Sequence, residues 1–353
     1  MNTANTMNYQ LLGRSGLRVS DLCLGTMTFG EDWGWGAPKE EAKKIYDAFR
    51  EAGGNFIDTA NLYTNGSSER FVGEFMASHR EEMVLATKYT NANPGNDANA
   101  GGNQRKNMVQ AVEASLKRLG TGYIDLYWLH AWDQITPAEE VMRAFDDLVR
   151  EGKVLYIGIC NAPAWVVAKS NTLAELRGWT RYVGLQIEYN LLERTVEREL
   201  IPVARDQGMT VLAWSPLRSG WLTGKYLPEN KSAGGKEARL NAEMMKDWVS
   251  VDEAAHQTVR EVLAVAKEIG ASAAQVALAW LRHRSIAVIP IIGARKLTQL
   301  KDNLKSVEIT FSPDQLRRLD EVSAVPMGFP HVVLEEGMSR AITFGGMRDR
   351  IKA

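Results

Sequence analysis

Cysteine is nearly missing: Cys23 and Cys160 are the only two in 353 residues. Neither their number nor their spacing suits a disulfide-stapled secreted domain or a zinc ribbon, so both read as buried thiols inside apolar strands. An excess of charge is missing too. The 42 basic and 43 acidic side chains leave a net charge of −1, which provides no broad field for nucleic acid or an anionic membrane. No apolar run reaches the roughly 18 residues of a spanning helix. The start, Met1 to Thr6, has no basic segment followed by an apolar one. The expectation is a cytoplasmic protein with small-molecule partners, no nucleic acid and no direct membrane insertion.

What the chain does have is a rhythm of strand and helix signals. Val19 to Gly25 is a short apolar strand, and residues 9–18, with Gly13 and Gly16, suit a hairpin capping what lies below it. Pro38 opens a helix that Gly53-Gly54 ends, and Ser67 to Ser78 forms a second, shorter one. Met108, Val112, Leu116 and Leu119 recur at helical spacing after an Asn/Gly-rich loop over 91–104. Thr136-Pro137-Ala138-Glu139 predicts a capped helix to about Arg150, and Ser272 with Gln275 predicts a capping box. Ser285 to Pro290 reads as the last strand, and residues 218–250, with Gly234-Gly235, as a long insertion that would serve as a lid. Strands alternating with helices point to a (β/α)8 TIM barrel rather than a doubly wound sheet. The expected domain is single, spanning 1–353, with a core over 9–322 and a C-terminal extension over 325–353 that would cover the mouth, join a homo-oligomer interface or trail as a tail.

Three candidate strands turn from apolar to ionisable at their downstream ends, in Asn55-Phe56-Ile57-Asp58, Val84-Leu85-Ala86-Thr87-Lys88 and Tyr127-Trp128-Leu129-His130. An α/β barrel keeps its chemistry at that end. With Tyr63 just beyond Asp58, the set contains a proton donor, a cation to tune it, a carboxylate to hold the cation and an imidazole to orient a polar substrate. Taken singly, Asp58 and Lys88 also suit a buried ion pair between strands, Tyr63 a packed aromatic and His130 a core histidine. Their common placement favours an enzyme.

These motifs resemble the aldo-keto reductase family, on its aryl-alcohol-dehydrogenase-like or potassium-channel-β-subunit-like branch, from Tyr9 to about Val322. The resemblance joins Gly54-Asn55-Phe56-Ile57-Asp58-Thr59-Ala60-x-x-Tyr63 to Ala86-Thr87-Lys88, Leu126-x-x-Leu129-His130, Gly158-Ile159-Cys160-Asn161, Trp214-Ser215-Pro216-Leu217 and Pro290-x-x-Gly293-Ala294-Arg295 with Asn303. It implies reversible reduction of a small carbonyl substrate by hydride from a nicotinamide cofactor, NADPH in preference to NADH, with no metal. Tyr63 would give the proton, Lys88 would lower its pKa, Asp58 would hold Lys88 and His130 would orient the carbonyl.

By the same resemblance, Asn161 and Gln186 would bind the nicotinamide carboxamide and Trp214 would stack on its ring. Cys160 stands where the family often has serine, so one carboxamide hydrogen bond would be weaker or lost. Ser215, Pro216, Leu217 and Gly220 would wrap the pyrophosphate with Lys225 nearby, and Gly293, Arg295, Gln299 and Asn303 would meet the adenosine end. Arg295 would favour a 2′-phosphate, whereas Gln299 replaces an arginine common in NADPH-specific members. Phe29, Trp33, Trp35, Tyr89 and Trp132 fall near the catalytic face and suit an aromatic mouth for an aromatic or medium-chain aldehyde. A nicotinamide-binding regulatory subunit of a protein complex is the alternative the same residues carry, and another barrel chemistry such as isomerisation or aldol cleavage is a third.

Overall fold

The computed structural model describes residues 7–93, 95, 97–233, 252–335 and 337–351, so Gly234-Gly235 of the expected lid lies outside the described residues. A hairpin of β1 (Tyr9–Leu11) and β2 (Arg18–Ser20) comes first. Eight parallel strands then close a barrel: β3 (Cys23–Gly25), β4 (Phe56–Asp58), β5 (Val84–Tyr89), β6 (Ile124–Leu129), β7 (Val154–Cys160), β8 (Tyr182–Glu188), β9 (Thr210–Trp214) and β10 (Val288–Gly293). Closure comes from β10, which pairs with β9 on one side and β3 on the other. The fold is a (β/α)8 TIM barrel.

Helices α1 (Lys39–Glu51), α2 (Ser67–Met76), α3 (Arg105–Leu119), α4 (Ala138–Arg150), α5 (Ala164–Arg177) and α6 (Leu200–Gln207) each connect successive strands. Two helices, α7 (Glu253–Ile269) and α8 (Ala273–Arg282), precede β10, and α9 (Leu297–Leu304) and α10 (Pro313–Val322) follow it. Their ends obey local chemistry. Asp252 accepts the Ala255 N–H at 2.9 Å to start α7, Gly270 ends it at φ 67°, and the Ser272/Gln275 capping box starts α8. The side turned inward is apolar, as with Ala42, Ile45, Tyr46 and Phe49 of α1. No single described helix is long and apolar enough to cross a membrane.

Three expectations shift. The segment from Val19 to Gly25 is broken between hairpin and barrel, because Asp21 turns out to an ion pair with Arg282 at 2.6 Å. The last strand starts later and runs through Pro290 to Gly293, since the apolar run 288–292 is what the barrel buries. Thr136 caps nothing: its hydroxyl donates to Asp133 at 2.6 Å, and α4 begins at Ala138 without a side-chain cap.

Strand side chains alternate between the barrel interior and the helix layer. Phe56, Val84, Ala86, Leu126, Trp128, Cys160, Leu212, Ile289 and Ile291 fill the interior, and Leu12 and Val19 of the hairpin join that cluster. The hairpin therefore closes the bottom of the barrel. Continuing each inward row by two residues leads to Asp58, Lys88, His130, Gln186 and Trp214 at the top. Trp128 forms the layer beneath them, and glycines make its space: a Cβ at Gly158 would lie 2.2 Å from its ring. Gly158→Ala is expected to destabilise the protein by about 1–3 kcal/mol through overpacking, read as a lower urea midpoint at unchanged slope.

Candidate active site

Lys88 lies at the centre of the top layer, fully buried. An ammonium has three N–H donors, and all three are directed. One goes to Asp58 Oδ2, one to the Thr59 carbonyl at 2.7 Å, and one to the Tyr63 hydroxyl at 3.2 Å. Asp58 Oδ1 accepts from Gln186 Nε2 at 3.0 Å. A carboxylate only accepts, so the Gln186 nitrogen faces Asp58 and its oxygen remains for the cavity it lines. Burial works against the charge on Lys88, but Asp58 and the Tyr63 oxygen hold its pKa above the usual lysine range.

Tyr63 is pinned by the turn that follows it. Thr64, Asn65 and Gly66 have φ of 45°, 52° and 85°, an arrangement costing about 1–3 kcal/mol at each non-glycine position. The buried Thr64 hydroxyl donates to the Phe29 carbonyl at 2.7 Å and accepts the Ser68 N–H at 3.0 Å. Strain of this kind gathers at one end of the molecule. Thr64, Asn65, Thr90, Gln134, Asn161, Ser215, Arg218 and Ser219, the positive-φ non-glycine residues, all follow the downstream ends of barrel strands.

His130 sits across from Tyr63, with ring centroids 6.0 Å apart. Burial, with the Lys88 charge adding to it, pushes the imidazole down to about 3. Its Nδ1 is buried with no hydrogen-bond partner among the described residues, so a neutral ring protonated at Nε2 is the form that serves as a donor. Burial raises the Tyr63 phenol above its ordinary value, and Lys88 opposes that rise without overcoming it. The signs predict a pH profile. Neutral His130 is lost only in strong acid and protonated Tyr63 only in strong base, so a reduction that takes its proton from Tyr63, as the resemblance implies, should stay flat between about pH 5 and 9. The reverse oxidation, drawing on the phenolate, should then rise steadily with pH. Initial rates in both directions across that range check both halves.

A cavity of about 500 Å³ opens above this layer and runs from Tyr63 and His130 past Trp214 to Arg295, Gln299 and Asn303. Asn161 is fixed midway: its Nδ2 donates to the His130 carbonyl at 2.9 Å and its Oδ1 accepts from Trp214 Nε1 at 3.0 Å. Each atom keeps capacity for one further bond. Ser215, Pro216, Leu217, Gly220 and Lys225 line the middle of the cavity. Left-handed residues at 218, 219 and 220 turn the chain tightly along this wall, with the Arg218 and Gly220 N–H groups taken by the Ser215 and Leu217 carbonyls at 2.8 and 2.9 Å, so what the loop offers an anion is the Ser215 and Ser219 hydroxyls and the Lys225 ammonium. Lys225 reaches the same place, its Nζ 2.9 Å from where a Cβ on Gly220 would stand. At the far end Gly293 and Arg295 line the wall, and Gln299 caps α9 by accepting the Arg295 N–H at 2.9 Å and the Lys296 N–H at 3.3 Å. Among the described residues no group of three His, Cys, Asp or Glu side chains is disposed to hold a metal ion.

The Aldo/keto reductase family profile matches residues 21–324. The chain belongs to that family. It is 37% identical over 343 residues to an aryl-alcohol dehydrogenase [NADP(+)] of Phanerodontia chrysosporium, covering 93% of this chain and 89% of that protein. It is 39% identical over 332 residues to norsolorinic acid reductase stcV of Emericella nidulans, covering 91% and 83%. It is also 40% identical over 334 residues to the uncharacterized oxidoreductase YrpG of Bacillus subtilis, covering 91% and 98%. The protein falls on the aryl-alcohol-dehydrogenase-like branch, and its general chemistry is that of an NADPH-dependent carbonyl-reducing oxidoreductase.

Within this aldo/keto reductase, three expected mouth aromatics lie elsewhere. Tyr89 neighbours inward-facing Lys88 and so points outward, where it is fully buried and stacked on Tyr127 at 5.5 Å. Phe29 is buried edge-on against Phe75 at 6.3 Å. Trp132 packs against the helix-side core and is absent from the cavity wall. Trp33 does line the cavity, edge-on to Tyr63 at 6.4 Å, and Trp35 packs behind it at 6.0 Å. Met27, Leu62, Asn91 and Glu188 complete the wall near the chemistry, and Ala274 and Leu278 come from α8. Glu188 ends an apolar strand just as Asp58 does, so the same signal marks it. Nothing in the sequence of α8 marks its two residues. Both cysteines are buried free thiols, and burial pushes each thiol up, which leaves them unreactive.

Proposed function

We propose that the protein reversibly reduces aldehydes or ketones with NADPH, taking aryl aldehydes among its substrates, and that Tyr63 is the proton donor. The observation that carries this is the aim of Lys88: its third N–H is directed at the Tyr63 hydroxyl on the wall of the same cavity that His130 faces. The cavity suits a nicotinamide dinucleotide. Gln186 Oε1 and the spare capacity of Asn161 match a carboxamide, the Trp214 ring a flat heterocycle, the Ser215 and Ser219 hydroxyls with Lys225 a pyrophosphate, and Gly293, Arg295, Gln299 and Asn303 an adenosine end. The cofactor supplies the hydride. The side chains do the remainder. His130 Nε2–H and the Tyr63 O–H converge on the carbonyl oxygen, where charge develops, and Tyr63 transfers its proton there. Lys88, its other hydrogens held by Asp58 and Thr59, stabilises the phenolate left behind.

Trp33 supports an aryl substrate by standing beside Tyr63 at the mouth, as does the likeness to an aryl-alcohol dehydrogenase. Arg295 favours the 2′-phosphate of NADPH over NADH. The experiment is oxidation of NADPH and of NADH with aromatic, aliphatic and sugar aldehydes, with product analysis. Alcohol formed in step with NADPH oxidation is expected, fastest with aromatic aldehydes. Saturable NADPH binding without turnover of any carbonyl would turn the assignment toward a regulatory subunit.

A further inference from the structure

Glu188 and Arg218 have no part in the chemistry above, yet they meet beside the dinucleotide channel, Glu188 on its wall and Arg218 behind it. Glu188 ends β8 beside Trp214 in register, with its side chain lining the cavity. The Arg218 guanidinium, on the loop after β9, is hydrogen-bonded to that carboxylate, and the two side chains are 15% and 23% exposed. A carboxylate on the wall of a pyrophosphate channel repels its ligand unless a cation answers it. The loop bearing Arg218 is also strained, with φ of 52° at Ser215, 46° at Arg218, 53° at Ser219 and 92° at Gly220. Its internal bonds, Arg218 N–H to Ser215 O at 2.8 Å and Gly220 N–H to Leu217 O at 2.9 Å, shape the turn without fixing it to the barrel. Leu217 and Leu222 pack the turn onto the core, and two polar links join it to the β8 side: Asn190 Nδ2 to the Ser215 carbonyl at 3.1 Å, and the Glu188–Arg218 pair.

We propose that Glu188 and Arg218 act as a latch, positioning residues that hold the 215–220 loop, with the Ser215 and Ser219 hydroxyls, in place along the channel. This rests on the channel being a nicotinamide dinucleotide site. Arg218 Nε, buried without a hydrogen-bond partner among the described residues, is the donor through which the guanidinium would instead meet a phosphate directly, so the test has to separate the two roles. The sign of one substitution does so. Glu188→Gln removes a negative charge from the channel, which by charge alone tightens an anionic ligand, and it reduces the hold on Arg218 from a charge-assisted to a neutral hydrogen bond, which by direct contact tightens it further. Only loss of a latch weakens binding.

The measurement is the NADPH dissociation constant, from quenching of tryptophan fluorescence, for the wild type, Glu188→Gln, Arg218→Met, their double variant and Arg218→Lys. Glu188→Gln and Arg218→Met should each raise the constant about tenfold over the wild type. The double variant should be no worse than either, because both singles break one link. Arg218→Lys, which still reaches Glu188 with a positive charge, should restore much of the affinity. Nicotinamide mononucleotide, which lacks the pyrophosphate, should bind all five alike, as a general loss of structure would not allow. Unchanged or tighter NADPH binding in Glu188→Gln, or losses that multiply in the double variant, would overturn the latch. A wild type that binds mononucleotide and NADPH equally, or neither, would sink the dinucleotide reading and the latch with it.

Discussion

Tyr63→Phe should lower kcat/KM for carbonyl reduction by about 10²–10⁴-fold while changing NADPH affinity by less than about threefold. The substitution deletes one oxygen and keeps the ring, so the edge contacts to Trp33 at 6.4 Å and His130 at 6.0 Å and the Lys88 ammonium 4.7 Å from the ring centroid are preserved. Lys88 loses its third acceptor but retains Asp58 and the Thr59 carbonyl. The fold should therefore melt close to the wild-type temperature. What goes is the group proposed to carry a proton to the substrate oxygen. His130, neutral and donating through one nitrogen, can hydrogen-bond that oxygen but is too weak an acid to replace a proton transfer from a phenol beside an ammonium. Single-turnover mixing of NADPH-loaded protein with benzaldehyde separates the chemical step from binding, and wild-type turnover in the variant would remove Tyr63 from the mechanism.

Much of the site is legible because a parallel barrel converts a sequence signal directly into a place. An apolar strand that ends in an ionisable residue has that residue in the uppermost interior layer, and so Asp58, Lys88 and His130 converge. The period-two alternation then separates Lys88, which points in, from Tyr89, which points out to Tyr127. That parity was available in the sequence, as was the strand-end position of Glu188. Phe29 and Trp132 are a different matter. They lie in loops, where no period assigns a side, and whether a loop aromatic lines the mouth or anchors the loop depends on partners such as Phe75 that are distant in sequence. Thr136 illustrates a local competition: the same hydroxyl suits a helix cap and the Asp133 carboxylate, and the carboxylate, already gathering the Asn103 and Thr136 N–H groups, wins it. The contribution of Ala274 and Leu278 to the cavity depends on how α8 docks after the long insertion, which no local rule supplies.

Lys88→Met should abolish most activity and also destabilise the protein by about 3–5 kcal/mol, a fall in melting temperature of about 4–7 °C. The reason for the second effect is Asp58. With Lys88 gone, a carboxylate whose side chain is 3% exposed is left with no cation and with the neutral Gln186 N–H at 3.0 Å and the nearby Trp128 indole. Burial already raises the Asp58 pKa, with Lys88 opposing, so the variant should have it higher still. A carboxyl with a raised folded pKa binds its proton more tightly folded than unfolded, and stability falls as pH rises from the unfolded value toward the folded one. The variant should accordingly lose more stability, relative to wild type, at pH 8 than at pH 5. Fold and chemistry can then be separated by adding Asp58→Asn, which removes the unpaired charge. The double variant should regain more than half of the lost stability, because the two sites are coupled, and none of the activity, because nothing then favours the Tyr63 phenolate. Recovery of turnover together with stability would mean that the Lys88–Asp58 pair serves the barrel alone, and the tuning of Tyr63 would have to come from elsewhere in the cavity.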